Sequence, residues 1–568
     1  MSLPESVAVQ PQQAEIAPRR AWLAFAACLI AVFMQMVDTT IVNIALPSLA
    51  TDLDASYSAQ LLVATVYTLA FACTLMTSSR LGEMFGRRRV FLIALAGFTV
   101  TSVLCGTATG ATELIALRGA QGVSAAAASA QTIAIISVLF PRIKHGVVFG
   151  MYGATAGVAA MLGPMLGGGL IAADIFDLGW RTIFLVNLPL GMIACILAFR
   201  YLPDVKPGER EPLDVAGMVL SSAGLFLLIY PLALGREKDW PIWLLVMLVV
   251  SIVLLTAFVF YERRLQRRGG SPLLRLDLFH NRNFTVGAVL SLAFFSVFAA
   301  FFFTVSIAAQ FGLGYSALRT GVLTFPFAVG AAMGSLISPI LVGRIGARTL
   351  ALGMVAFAVC LGWTAMIIDP AGGSLDIAVL VTPLLIGGVG TGLFVAPLQA
   401  TILSGTTESN VGSASGSIPT IQQIGCSIGL AVISIAFFNQ VAAQSPSAVD
   451  QAASSLSRGL ETTSVAPPFR PVVVDEFSRC ANLQLSSAHP EQTPPGCGAT
   501  DAQKPATPGD VRATVAAAAA PELKTAAREA AAHSFLAALS IILWAIAATA
   551  LALAMISLLL RRTGAVPR

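Results

Sequence analysis

Two charged residues, Asp38 and Arg118, lie deep within long apolar stretches of this 568-residue sequence. An ionised side chain at such a depth is costly unless it is paired or faces water, so such residues usually mark ion or proton pathways. A nearby cation also favours the charged form of a carboxyl group. The pair therefore predicts a proton-coupling site in which Asp38 carries the proton and Arg118 is released when the proton binds. A purely structural ion pair is the alternative.

Membrane-spanning helices must hold these two residues. The chain is 56% apolar and only 11% charged, against about 25% charged residues in soluble domains, which excludes an ordinary water-soluble protein. A mean hydropathy of +0.81 agrees with about fourteen helices of about twenty residues each. The predicted fold class is an all-α membrane protein. The balance of 34 basic to 29 acidic residues is too even to indicate nucleic acid as a partner.

The distribution of Lys and Arg predicts the orientation of the helices. Placing the N-terminus in the cytoplasm puts most of these residues on the cytoplasmic side, and both termini are then cytoplasmic. At 1.5 Å per residue, Asp38 lies about 6 Å outward from the middle of the first helix, and Arg118 about 7 to 10 Å outward from the middle of the fourth. The depths roughly coincide, which favours contact between the two side chains.

Two similar basic loops indicate an internal duplication. Residues 79–89 read SRLGEMFGRRR and residues 341–348 read LVGRIGAR. Basic hairpins at equivalent places predict two six-helix bundles related by pseudo-two-fold symmetry, with two further helices between them, which is a layout typical of transporters. The predicted parts are a cytoplasmic tail (1–20), an N-terminal bundle (21–200), a linker with two extra helices (201–283), a C-terminal bundle (284–438 with 534–560), an insert outside the cytoplasm (439–533) and a second cytoplasmic tail (561–568).

Several motifs together resemble one protein family. Residues 38–47 read DTTIVNIALP in the first helix, residues 118–122 read RGAQG in the fourth, and residues 180–191 read WRTIFLVNLPLG at the start of the sixth. The fifth helix carries GATAG at 153–157 and GPMLGG at 163–168. The sequence resembles the major facilitator superfamily, and within it the fourteen-helix drug:proton antiporters of the multidrug efflux type.

The resemblance implies roles for further residues. The fifth helix corresponds to the antiporter motif, with Gly153, Gly157, Gly163, Pro164, Gly167 and Gly168. Small residues on one helical stripe permit close approach to a neighbouring helix. In the basic loop, Glu83, Gly86 and Arg87 correspond to a conformational switch whose contacts between bundles break when the transporter changes state. This loop departs from the family pattern, because Ser79 replaces the usual Gly and Glu83 the usual Asp. A solvated basic loop is the alternative.

A mixed apolar and amide surface is typical of poorly selective drug pockets. Six phenylalanines at 294, 295, 298, 301, 302 and 303 surround the ninth helix, and most of them are expected to face lipid. The candidate substrate-binding residues are Gln35, Asn43, Phe298, Phe302, Gln399 and Gln422.

The polar segment 439–533 has Ala-rich pieces at about 445–460 and 511–533 that favour helix. A surface excursion and a partner-binding or gating cap are the two interpretations. Cys480 and Cys497 lie in this segment, where a disulfide is compatible with a location outside the cytoplasm, and the sequence leaves their bonding open.

The sequence has no phosphate loop of the G-x-x-x-x-G-K-[ST] type and no metal cluster or nucleophile–base arrangement. We expect no enzymatic activity, no metal and no cofactor, with the proton gradient as the energy source. The predicted function is proton-coupled export of amphipathic small molecules by a monomer, in the cytoplasmic membrane of a bacterium. A dedicated exporter of one endogenous metabolite or lipid is the first alternative. A non-transporting scaffold that acts through 439–533 is the second.

Overall fold

The computed structural model describes residues 18–141, 144–204, 213–404, 411–487, 497 and 511–560, and all regular structure in them is helical. Fifteen helices of 15 residues or more follow one another along the described chain: α1 Pro18–Asp52, α2 Tyr57–Phe85, α3 Arg87–Thr107, α4 Ala111–Leu139, α5 His145–Ala173, α6 Asn187–Tyr201, α7 Val215–Leu234, α8 Ile242–Arg267, α9 Arg282–Ile307, α10 Ala317–Ile345, α11 Arg348–Ile367, α12 Ile377–Ser404, α13 Val411–Leu460, α14 Arg470–Leu485 and α15 Val511–Ser557. The apolar segment that contains α6 begins with short helical turns at Gly179.

All of these helices except α14 supply apolar segments long enough to cross a membrane, when the bent α5 is taken as one span. The predicted all-α membrane fold is therefore confirmed. The two parts of α5 meet at 41° between Ala160 and Leu162. Pro164 lies just beyond this bend. Its missing N–H removes the hydrogen bond that the Ala160 carbonyl would otherwise accept, which explains a bend at this place.

The helices form two groups of six and a hairpin. Helices α1 to α6 pack on one another, and α9 to α13 pack together with α15. The hairpin α7–α8 contacts α2 of the first group and α13 of the second. In the sequence, the hairpin lies between the first group of six helices and the second. It therefore separates the two repeats that the basic loops predict.

Two seams join the N-terminal and C-terminal bundles. Helix α5 packs against α10, and α2 packs against α13. We call the end of the molecule that carries Arg80, Arg87 and Arg344 the basic end. There the hydroxyl oxygens of Ser79 and Ser415 are 3.1 Å apart and buried.

The opposite end of the molecule, which we call the insert end, carries the segment 439–533. Helix α13 runs without interruption through residue 439 and has 50 residues, or about 75 Å at 1.5 Å per residue, against about 30 Å of hydrocarbon. The Ala-rich pieces are therefore extensions of α13 and α15. They pack with α14 around buried Leu456 and Phe477. Cys480 and Cys497 are joined by a disulfide, with Cα atoms 5.7 Å apart.

Candidate functional site

Asp38 on α1 and Arg118 on α4 form an ion pair inside the N-terminal bundle. Nη1 of Arg118 lies 2.5 Å from Oδ2 of Asp38. The exposed fractions of the two side chains are 0% for Asp38 and 1% for Arg118, so neither faces lipid or water. Two charges at this depth are tolerated because they neutralise each other. The contact that the matching depths predict is present.

Two amide side chains complete the coordination of the Asp38 carboxylate. Gln121 Nε2 donates to Oδ1 of Asp38 at 2.9 Å, and Asn187 Nδ2 approaches the same oxygen at 3.4 Å. Gln121 also accepts from Arg118 Nη1 at 2.7 Å. Gln121 lies three residues after Arg118 and therefore on the same face of α4. Asn187 is fixed by a 3.0 Å hydrogen bond to Ser102 on α3.

The Arg118 guanidinium has partners other than Asp38. It lies 4.5 Å over the centre of the Tyr67 ring and 5.8 Å from that of Phe184. Its Nε donates to the backbone carbonyl of Val63 at 3.4 Å. Aromatic faces attract a guanidinium electrostatically, and more strongly when water is excluded. These partners can keep Arg118 in place when Asp38 is protonated and neutral.

The glycines of α5 serve two different neighbours. A Cβ at Gly163 would lie 1.9 Å from Thr40 Oγ1, and one at Gly167 would lie 2.8 Å from Ile41 Cγ1, both on α1. Cβ atoms added at Gly153, Gly157 and Gly168 would contact side chains of α10 at ordinary van der Waals distances. Gly153, Gly157 and Gly168 therefore share one helical stripe, and Gly163 and Gly167 lie on a different face. One face of α5 packs against α1 beside Asp38, and another packs against the C-terminal bundle.

The sequence profile of the Major Facilitator Superfamily matches residues 28–430, which include Asp38, Arg118 and the glycines of α5. The chain belongs to the Major Facilitator Superfamily. It is accordingly a multi-pass membrane transporter and not an enzyme.

Curated relatives of this superfamily member cover most of its length. It is 33% identical to a probable actinorhodin transporter of Streptomyces coelicolor, over 86% of this chain and 84% of the relative. It is 34% identical to a puromycin resistance protein of Streptomyces alboniger, over 73% and 81%. It is 30% identical to the multidrug export protein EmrB of Haemophilus influenzae, over 73% and 80%.

Solved structures of the superfamily share the fold. The proton:xylose symporter XylE, bound to 6-bromo-6-deoxy-D-glucose, superposes with a TM-score of 0.51 at 15% identity, covering 73% of this chain and 88% of that one. The human organic anion transporter MFSD10 superposes with a TM-score of 0.50 at 17% identity, covering 74% and 93%.

Replacing Gly163 by alanine should reduce the stability and the transport rate of this protein, because the new side chain would collide with α1. The new Cβ would lie 3.0 Å from Thr40 Cβ and 3.1 Å from the Val37 carbonyl, so α1 and α5 must separate next to Asp38. Overpacking of this kind typically costs about 1 to 3 kcal/mol. We expect a lower melting temperature and slower transport. Gly169→Ala is the matched control, since nothing lies within 4 Å of a Cβ there. Equal effects of the two substitutions would contradict the proposed contact.

The predicted switch residues of this transporter lie at the basic end. Glu83 pairs with Arg80 on its own helix, with Nη1 and Oε2 2.5 Å apart. Arg87 donates to the Ala134 carbonyl on α4 at 3.3 Å, within the N-terminal bundle. Gly86 has φ of 91°, a left-handed value that favours glycine in the sharp connection from α2 to α3. At this end, Ser79 and Ser415 form a hydrogen bond between the bundles, whereas the described contacts of Glu83 and Arg87 lie within the N-terminal bundle. The switch roles of Glu83 and Arg87 stay predictions.

The four amide residues among the predicted substrate residues differ in exposure. Gln35 is buried and donates to the Ala125 carbonyl at 2.9 Å, a link between α1 and α4. Asn43 is exposed. Gln399 is buried and Gln422 is half-buried. Their substrate roles stay predictions.

The aromatic residues of α9 form a cluster in the C-terminal bundle. The rings of Phe298 and Phe302 are half-buried, with centroids 4.9 Å apart, and Phe327 of α10 lies 5.2 Å from Phe302. Phe294 and Phe301 are fully buried. The other four phenylalanines of α9 are half-buried. The expectation that most of the six face lipid is wrong for Phe294 and Phe301, which pack against neighbouring helices because α9 contacts α13, α12 and α15. For the other four it stays a prediction.

Asp52 ends α1 at the insert end and binds the turn before α6. Its Oδ2 accepts from Arg181 Nη1 at 2.6 Å and from Trp180 Nε1 at 3.0 Å. The hydrogen bond from Arg181, followed by that from Trp180, lowers the pKa of Asp52. A carboxyl group with a lowered pKa in the folded state stabilises the fold above its ordinary pKa of about 3.9 and loses that contribution as the pH falls through the lowered value.

Asp52→Asn should therefore lower the melting temperature slightly at neutral pH, because the ion pair is half-exposed and screened. The difference from the wild type should shrink as the pH falls below about 4. Melting curves between pH 7 and pH 3 would measure it. Arg181→Gln should show the same convergence, and a difference that does not change with pH would contradict the assignment.

Proposed function

We propose that this transporter is a proton-coupled antiporter that exports amphipathic small molecules by alternating access. The observation that carries the proposal is the buried arrangement of Asp38, Arg118, Gln121 and Asn187. A buried carboxylate that is held by one cation and two amides can exchange that cation for a proton, and the guanidinium is then left with the Tyr67 ring and the Val63 carbonyl as partners.

The coupling follows from the geometry of this arrangement. A proton that binds Asp38 neutralises the carboxylate, weakens its contact with Arg118 and leaves the guanidinium on the Tyr67 ring and the Val63 carbonyl. Helix α1 is then held less tightly against α4. Since Gly163 and Gly167 pack on the same stretch of α1, a shift of α1 is transmitted to α5 and to its seam with α10. The proton gradient is the energy source, and no cofactor is required.

Two observations support amphipathic substrates. The relatives include a puromycin resistance protein and a multidrug export protein, and both names refer to drugs. Phe298 and Phe302 are half-buried aromatic rings in the C-terminal bundle, and such rings can stack with an apolar or cationic substrate.

The basic end is assigned to the cytoplasm. Arg80, Arg87, Arg344 and the exposed Arg263 and Arg264 of α8 share this end of the bundle, as the positive-inside rule requires. The insert and its disulfide then face the outside, where disulfides persist. The membrane is the cytoplasmic membrane of a bacterium, and the working unit is the monomer.

The test uses inverted membrane vesicles and a panel of cationic, neutral and anionic lipophilic dyes. A proton gradient, acidic inside, should drive dye accumulation in vesicles that contain the protein. An uncoupler should abolish this accumulation, whereas ATP without a gradient should have no effect. Accumulation that persists with the uncoupler present would contradict proton coupling.

A dedicated exporter of one endogenous product is the second candidate. The relative that covers 86% of this chain is named for a single compound, actinorhodin. Under this alternative, one compound saturates transport and the lipophilic dyes neither accumulate nor compete. Under the leading proposal, several structurally different dyes compete with one another.

A variant with a shortened insert distinguishes a transporter from a scaffold that acts through the insert. The extensions of α13 and α15 meet where Gly459 lies against Glu522, so a Gly-Ser linker can replace residues 461–510 without cutting the bundle. We expect dye transport to persist at roughly half or more of the wild-type rate, because surface segments tolerate deletions. Complete loss of transport, with correct membrane insertion and an unchanged melting temperature, would favour a functional role for the insert.

A further inference from the structure

A second buried acidic site lies at the basic end of the inserted hairpin. Asp214 is the N-cap of α7, and Glu262 lies on the last two turns of α8. The exposed fractions of these residues are 6% for Asp214 and 0% for Glu262. The two carboxyl groups lie within hydrogen-bonding distance of each other.

One oxygen of each carboxyl group has a donor, and the other has none. Asp214 Oδ1 accepts from Gly217 N and from the Tyr261 hydroxyl, both at 2.9 Å. Glu262 Oε2 accepts from Leu274 N at 3.4 Å. Asp214 Oδ2 and Glu262 Oε1 are buried and have no hydrogen-bond partner among the described residues. Both face the same point, since a Cβ at Gly217 would lie 2.2 and 2.4 Å from them.

The described part of the chain supplies no cation to this site. Within it, no arginine, lysine or histidine forms an ion pair with Asp214 or Glu262. The side chains of Arg263 and Arg264 on α8 are exposed to solvent. Two adjacent buried carboxylates repel each other when both are ionised, and one proton between them satisfies both of the oxygens that have no described partner.

The site is connected to the contact between the bundles through residues 273–275, which we call the strap. Glu262 holds the strap at Leu274. On its other side, Ser413 of α13 donates to the Leu273 carbonyl at 3.4 Å and accepts from Arg275 N at 3.1 Å.

The strap also borders α2. Leu273 and Ser413 line a small cavity together with Met76, Ser79, Arg80 and Glu83. The charged groups that face the strap from α2 are therefore Arg80 and Glu83, which pair with each other. Ser413 is two residues from Ser415, the partner of Ser79 in the seam.

We propose that Asp214 and Glu262 share one proton, as a second protonation site, and that this proton holds the strap in the seam between α2 and α13. Loss of the proton places two negative charges beside Gly217. Their repulsion moves Glu262 away from Leu274, releases the strap and weakens the closure of the basic end. The gating consequence rests on the proposed alternating access, whereas the shared proton does not.

The test uses the purified full-length protein in liposomes and two measurements that need no substrate. Infrared difference spectra during a pH titration detect the C=O band of a protonated carboxyl group. Hydrogen–deuterium exchange of peptides that cover residues 268–276, corrected for intrinsic rates, reports release of the strap. The variants are Glu262→Gln and Asp214→Asn. Asp277→Asn is the control, because Asp277 is an exposed carboxyl group of the same linker.

In the wild type we expect the carboxyl band to disappear and strap exchange to accelerate in the same pH range. Glu262→Gln should lose the band, and it should lose the pH step in exchange while the strap stays protected. In Asp214→Asn the buried Glu262 no longer has a second carboxyl group beside it, so its band should disappear at a lower pH than in the wild type. Asp277→Asn and Asp38→Asn should retain both signals, so a failure of the proposed coupling at Asp38 leaves this test intact. A band whose titration is unchanged in both carboxyl variants, or strap exchange that is identical in wild type and Glu262→Gln at every pH, would overturn the proposal.

Discussion

Replacing Asp38 by asparagine should abolish gradient-driven accumulation of substrate. The amide has the size of the carboxyl group, and its single oxygen can accept a hydrogen bond from either Arg118 or Gln121, but it cannot take up a proton at physiological pH. Without that exchange, a proton gradient gives no advantage to either conformation, and the substrate ratio across the membrane should fall to its passive value. Dye accumulation in inverted vesicles, with substrate binding measured in parallel, would show this loss.

The matched control for this experiment is Asp52→Asn, a carboxyl-to-amide change at the exposed end of the same helix. It should leave accumulation close to the wild-type level. Asp38→Glu should restore part of the accumulation, since it keeps a titratable group in the same network. If Asp38→Asn accumulated dye as the wild type does, and lost it with an uncoupler, the proton would have to travel by another group.

Removing the charge of Asp38 should lower the free energy of unfolding by more than removing the charge of Arg118. Asp38→Leu leaves a guanidinium that cannot lose its charge, whereas Arg118→Met leaves a carboxyl group that can take up a proton. Breaking a buried pair by removing one partner costs about 3 to 5 kcal/mol. We expect Asp38→Leu to reach this range and Arg118→Met to remain below it.

The double variant with Asp38→Leu and Arg118→Met should recover much of the lost stability, because no unpaired charge remains. Unfolding free energies of the four proteins in the same detergent give the coupling energy of the cycle. Lowering the pH should stabilise Arg118→Met relative to neutral pH and should not help Asp38→Leu. Additive effects in the cycle would contradict a direct interaction between the two groups.

The ion pair could be predicted from the sequence because a membrane helix has a fixed rise per residue. That rise converts the positions of Asp38 and Arg118 into depths, and the cost of an unpaired charge requires that they meet. The amides of the network carry no such signal. Gln121 and Asn187 are neutral and lie within the motifs at 118–122 and 180–191. Only the spacing of Gln121 from Arg118 on α4 indicates that these two residues share a helix face.

Other features depend on packing that the sequence does not specify. Gly163 contacts α1 and Gly153 contacts α10, and the sequence does not specify which neighbour each face of α5 meets. Glu262 is followed by two exposed arginines and therefore has the pattern of a solvated helix end. Its burial follows from the position of the strap. Phe294 and Phe301 are buried because α9 contacts three neighbouring helices.

Helix α13 has a mechanical consequence that follows from its length. One continuous helix contains Ser415 at the seam and Leu456 in the insert. A tilt of this helix about the seam would therefore move the insert. Ser415 and Leu460 are about 68 Å apart along the helix, so a tilt of about ten degrees about Ser415 would move the far end by roughly 12 Å. Under the proposed alternating access and orientation, a fluorophore or an antibody bound to the insert from outside the cell would report the movement of the C-terminal bundle.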